Sequence, residues 1–130
     1  MRTKLAFLTI AALASIAYAA SFLTVDAVMK DTKKYDTKDV TVRGKVANFK
    51  EKTSKAGNKY TTFVLKGETK SINVYIRDHM AKDPKPGDIA EVVGVFRVSK
   101  KVGTMVFKNE IDATKAAGKK YGVKIIVGTK

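Results

Sequence analysis

The sequence has no cysteine and no tryptophan, one histidine, two prolines, and only 12 acidic residues against 26 lysines and arginines. Without cysteine there is no disulfide staple and no thiol nucleophile, so the hydrophobic core alone must hold the fold. The lone His79, between Asp78 and Met80, reads as a surface or capping residue rather than a general base. Metal binding needs several convergent His, Cys or carboxylate ligands, and no spacing here supplies them. Asp36, Asp39, Asp83 and Asp88 read as turn acids. No catalytic residue, no metal site and no cofactor is therefore expected. The chain also lacks any apolar run near the ~20 residues that a membrane-spanning helix requires.

What is present begins with a leader. Arg2 and Lys4 form a positive n-region, Leu5 to Ala14 an apolar h-region, and Ala17-Tyr18-Ala19 a small-residue cleavage site. Residues 1–19 thus read as a signal peptide and Ala20 as the mature first residue, which places the protein in the periplasm or outside the cell. Formal charge over the whole sequence is +14. A domain this basic commonly meets a polyanion, whether nucleic acid, an anionic membrane surface or an acidic polysaccharide.

Beyond the leader, residues 20–39 read as a short N-terminal helix and a turn. Leu23, Ala27, Val28 and Tyr35 fall near helical spacing, and the Asp36 to Asp39 turn follows. Period-two alternation then gives five strands. In the first, Val40 to Lys50, one face holds Val40, Val42, Gly44 and Val46, and the other Thr41, Arg43, Lys45, Ala47 and Phe49. A polar loop, Glu51 to Lys59, carries Lys52, Lys55 and Lys59. The second strand, Tyr60 to Lys66, points Thr61, Phe63 and Leu65 one way and Tyr60, Thr62, Val64 and Lys66 the other. The third, Ser71 to Arg77, turns Ile72, Val74 and Ile76 inward and Asn73, Tyr75 and Arg77 outward. A helical turn over Asp78 to Lys82 is expected to lead into the fourth strand, Asp88 to Ser99. A basic hairpin, Lys100 to Gly103, then leads into the fifth, Thr104 to Ile111. Glycine inside a strand, as at Gly44 and Gly94, marks the bends that a small closed barrel needs. Five strands with a helical turn between the third and fourth is the order of an all-β, five-stranded OB-fold barrel, spanning residues 40–113. A sandwich would want about seven strands. Residues 114–130 read as a basic C-terminal tail, with Val123 to Val127 as a possible extra strand.

Specific residues carry a resemblance. Val40-Thr41-Val42-Arg43-Gly44-Lys45-Val46, Ser54-Lys55-Ala56-Gly57-Asn58-Lys59-Tyr60, Phe63-Val64-Leu65-Lys66, Ile72-Asn73-Val74-Tyr75-Ile76 and Pro86-Gly87-Asp88-Ile89 resemble the OB-fold nucleic-acid-binding domains. The similar group is that of anticodon-binding domains and of replicative polymerase and exonuclease subunits. The chain also resembles exported bacterial proteins built as a signal peptide followed by a single barrel. Two enzyme-like or cofactor-bearing variants of the barrel are not matched. His79 is not followed closely by a tyrosine, as in exported haem carriers, and the clustered acids of staphylococcal-type nucleases are missing.

The outward face defines the expected site. Phe49, Tyr60 and Tyr75 would stack bases, with Arg43, Lys45, Lys66, Asn73 and Arg77 around them to follow phosphates. Lys52, Lys55 and Lys59 on the first loop and Lys100 and Lys101 on the last hairpin would flank that face. The expected function is non-specific binding of single-stranded DNA or RNA. The alternative is an envelope interaction protein that binds an anionic glycan, a lipid head group or an acidic protein.

Overall fold

The computed structural model describes residues 21–80 and 82–126. The leader expected over residues 1–19 lies outside the described residues. No helix among the described residues is long and apolar enough to cross a membrane.

The chain opens with a two-residue strand β1 (Leu23–Thr24) and two short helices, α1 (Val25–Lys30) and α2 (Thr32–Tyr35). Thr24 starts α1, its hydroxyl accepting a hydrogen bond from the Ala27 N–H at 3.1 Å. Six longer strands follow: β2 (Asp39–Thr53), β3 (Lys59–Lys66), β4 (Ser71–Arg77), β5 (Ile89–Val102), β6 (Met105–Asp112) and β7 (Gly122–Ile126). The sheet runs β1-β2-β3-β4-β6-β5-β7, and an additional pairing of β2 with β5 closes β2, β3, β4, β6 and β5 into a barrel. All pairs in this ring are antiparallel except β4 with β6. This is the expected all-β barrel.

The alternation read from the sequence supplies the core. Val40, Val42 and Val46 of β2, Phe63 and Leu65 of β3, Ile72 and Val74 of β4, Val92 and Phe96 of β5, and Ile111 of β6 are all buried. The N-terminal helix belongs to the same core, because Val25 and Val28 are fully buried against the barrel. Thr61 is the polar intruder, and its hydroxyl is satisfied by donating to the Asp78 carbonyl at 2.9 Å.

β2 and β5 are long because each changes partner along its length. β2 pairs with β5 over Asp39–Lys45 and with β3 over Lys45–Thr53. β5 pairs with β2 and β7 through its first half and with β6 from Val95 to Val102. Gly94 sits at the crossing point of β5. A Cβ there would run into the backbone of Asp112 and Ala113, so only glycine lets the strands pass.

Between β4 and β5 the described residues form bends and turns; residue 81, within the stretch Asp78 to Lys82 where a helical turn is expected, lies outside the described residues. Pro84 and Pro86, which leave only short lengths of chain between them and β4, prevent a helix from extending. The segment read as a basic tail contributes β7, which pairs with β5 from Ile89 to Val93. Tyr121 holds it there by donating its hydroxyl hydrogen to Asp39 Oδ1 at 2.6 Å. Finally, the register of β2 against β3 shifts between Ala47 and Lys50, with Asn48 at φ +52°.

Candidate nucleic-acid interface

That bulge in β2 decides which side chains share the outer face. One extra residue reverses the phase of a strand beyond it. Asn48, Lys50 and Lys52 consequently face the same groove as Tyr60 and Thr62 of β3. Phe49, expected outside, instead packs against the core cluster. It is not a stacking platform.

The groove has a volume of about 830 Å³ and crosses β2, β3 and β4, with the β5–β6 hairpin as its far wall. Its floor carries an aromatic pair. Tyr60 faces Arg77 and Thr62 faces Tyr75 in the β3–β4 register, which sets the two tyrosine rings diagonally on one face, centroids 5.7 Å apart and tilted by 32°. Of the residues expected at the site, Lys52, Lys59 and Arg77 lie along the groove with the two tyrosines, and Asn73, Lys100 and Lys101 complete it. The Asn73 side chain donates to the Lys108 carbonyl at 3.2 Å, which holds β4 to β6 on the groove floor.

The remaining expected residues lie elsewhere. Arg43 sits where β2 pairs with β5; its Nε donates to Glu91 at 2.9 Å and its guanidinium lies 4.2 Å from the centroid of the Phe22 ring. It is committed to holding the N-terminal segment against the barrel. Lys45 and Lys66 face each other across β2 and β3 as exposed cations beyond the end of the groove. Lys55 is exposed on the β2–β3 loop and does not line the groove. That loop is a tight turn. Gly57 adopts φ +87°, a conformation that favours glycine, and Ser54 N–H donates to the Asn58 carbonyl at 2.8 Å.

Lys100 is not a free cation. Its ammonium lies 4.3 Å from the Tyr75 ring centroid and 5.7 Å from that of Phe107, and it forms an ion pair with Glu110. Glu110 and Asp112, on β6, bring acidic groups into the groove, and Met105 and Phe107 bring apolar surface. None of these was legible as a groove residue. The parallel β4–β6 pairing places them there, and alternation within one strand does not show which strand lies next to it. The hairpin tip is apolar and exposed, with Val102 55%, Met105 59% and Val106 49% accessible. Among the described residues, no group of three or more His, Asp or Glu side chains is placed to hold a metal ion.

A five-stranded closed barrel whose second and third strands carry aromatic and basic side chains, between a β2–β3 loop and a β5–β6 hairpin, has the architecture of an OB-fold. The chain belongs to the family of OB-fold nucleic acid binding domains, whose model matches residues 40–116. Among solved structures, the second OB-fold domain of replication protein A from Methanococcus maripaludis is similar, at 25% identity over 70% of this chain and 86% of that chain, with a TM-score of 0.47. No curated protein matches the chain.

Proposed function

We propose that this chain is a binding protein for single-stranded nucleic acid, DNA or RNA, that captures the phosphate backbone electrostatically and stacks bases on Tyr60 and Tyr75. The observation that carries this reading is the tyrosine pair on the floor of a groove bordered by Lys52, Lys59, Arg77 and Lys101. Rings on a groove floor offer a π face to any base, and flanking cations track the backbone, so both steps are indifferent to sequence. A duplex keeps its bases stacked on each other and has no use for the rings.

A second reading is favoured by one feature. Val102, Met105 and Val106 are exposed on the hairpin tip beside Lys101, a combination suited to an anionic envelope surface. One experiment separates the two: titration of the protein with single-stranded DNA, duplex DNA, a heparin-like glycan and anionic vesicles, each at two salt concentrations. Tighter binding of single strands than of the other three supports the first reading. Equal binding of all polyanions would give the second.

Export from Ala20 is part of the same proposal and rests on the leader pattern of residues 1–19. Intact-mass measurement of protein recovered outside the cytoplasm should begin at Ala20, and a retained Met1 would remove it.

A further inference from the structure

Glu110 is an acid within a basic groove. It lies on β6 directly opposite Asn73 of β4, with only 6% of its side chain accessible. Burial pushes its pKa above the ordinary glutamate value, while the hydrogen bond and charge of Lys100 pull it back down. Its Oε1 is enclosed and, beyond the Lys100 ion pair, has no polar partner among the described residues. The same ammonium sits 4.3 Å from the Tyr75 ring centroid. One point in the groove is therefore both over the stacking ring and in contact with the carboxylate, and an N–H donor fills it.

A base stacked on Tyr75 takes the room that this ammonium holds. Lys100 is on a flexible four-carbon stem and can withdraw. Its departure would leave a buried carboxylate without a donor, which is costly unless the base brings one. Guanine offers two neighbouring donors on its Watson–Crick edge, N1–H and N2–H, to match the two carboxylate oxygens. Adenine and cytosine offer one amino group each. Thymine and uracil offer a single N–H between two carbonyls, which face a carboxylate unfavourably. We propose that Glu110 reads the base stacked on Tyr75 and selects guanine there, with Lys100 as the resident donor that guanine replaces. The inference rests on the single-strand reading and adds one read position to a groove otherwise indifferent to sequence.

The test is a fluorescence-anisotropy titration of the whole chain with three DNA dodecamers in lithium buffer: all thymidine, alternating thymidine and guanosine, and the alternating sequence with inosine in place of guanosine. Inosine lacks the N2 amino group. The guanosine dodecamer is expected to bind about tenfold tighter than the thymidine one, the scale of a good base-edge pair. The inosine dodecamer should lose most of that gain. Glu110→Gln should abolish the preference, so that the guanosine and thymidine dodecamers bind the variant with equal affinity. The inosine comparison uses unaltered protein and so stands even if that variant fails to fold. Equal affinity for all three dodecamers, or a guanosine preference that survives in Glu110→Gln, overturns the inference and leaves the single-strand reading intact. Failure of every dodecamer to bind overturns both.

Discussion

Tyr75 already has two ring partners in the free protein, Tyr60 and the Lys100 ammonium. A base that stacks there exchanges a cation–π contact for a stacking contact, so its net gain is a difference. Tyr75→Ala is expected to weaken single-strand binding by about 1–3 kcal/mol. The slope of log K against log salt should barely change, because no phosphate contact leaves with the ring. Arg77→Ala should do the converse and flatten that slope by about 0.7 for one lost single-strand contact. Titrations across several salt concentrations read both, and an unaltered affinity in Tyr75→Ala would remove stacking from the mechanism. Asp26 gives a residue-scale prediction about stability. Desolvation raises its pKa, but hydrogen bonds from the Lys70 and Thr69 backbone N–H groups and the Thr69 hydroxyl outweigh this and hold it below the ordinary aspartate value. The folded state thus favours the ionised form. Its stabilising contribution is complete above the ordinary value of 3.8 and is lost as pH falls through the lower folded value. Urea midpoints at neutral pH and near pH 3 should therefore differ less in Asp26→Asn than in the unaltered chain; an equal difference would show that the β3–β4 turn does not depend on that charge.

At the scale of elements, β5 turns about Gly94, where the Asp112–Ala113 backbone leaves no room for a methyl group. Gly94→Ala is expected to cost about 1–3 kcal/mol or more by overpacking, read as a lower urea midpoint with an unchanged slope. A midpoint equal to that of the unaltered chain would mean that β5 and β6 can part locally. The need for glycine here was visible in the sequence, because a glycine interrupts an otherwise apolar strand. The partner that imposes it, the β6 end, was not. The same limit applies to the site. Tyr60 and Tyr75 were placed correctly on the outer face because β3 and β4 keep strict alternation throughout. Phe49 was not, because the bulge at Ala47 to Lys50 inserts one residue and period-two counting carries straight through it. Asn48, with a left-handed backbone conformation that asparagine tolerates well, was the available signal. It also brings Lys50 into the groove, a cation that the uncorrected count would have turned inward.

For the whole molecule, a formal charge of +14 sets an expectation about the medium rather than any one contact. If about four phosphates are neutralised, log K for single strands should fall with log salt at a slope of about −3. A slope near zero would exclude electrostatic capture. Not every lysine contributes: Lys100 is held by Glu110, and Lys119 lies 3.3 Å from Asp39, where it helps Tyr121 anchor β7. Closure of the barrel was readable from five alternating strands of suitable length. The attachment of β7 was less so, because five residues in a lysine-rich terminus carry a weak pattern and acquire strand structure from β5.

The pairing that closes the barrel joins Asp39–Lys45 to Ile89–Val95, segments separated in the chain by the whole of β3 and β4. β2, β3 and β4 need only neighbouring loops to find one another. Closure therefore governs the timing of folding. The entropy of bringing distant segments together must be spent before their contacts reward it, so refolding from urea should take about milliseconds to seconds and not microseconds. During synthesis β2 precedes β5, and until β5 exists the edge of β2 from Asp39 to Lys45 that β5 will cover has no strand beside it, the two residues of β1 lying along the opposite edge. Whatever receives the growing chain meets an open sheet edge first and a barrel later.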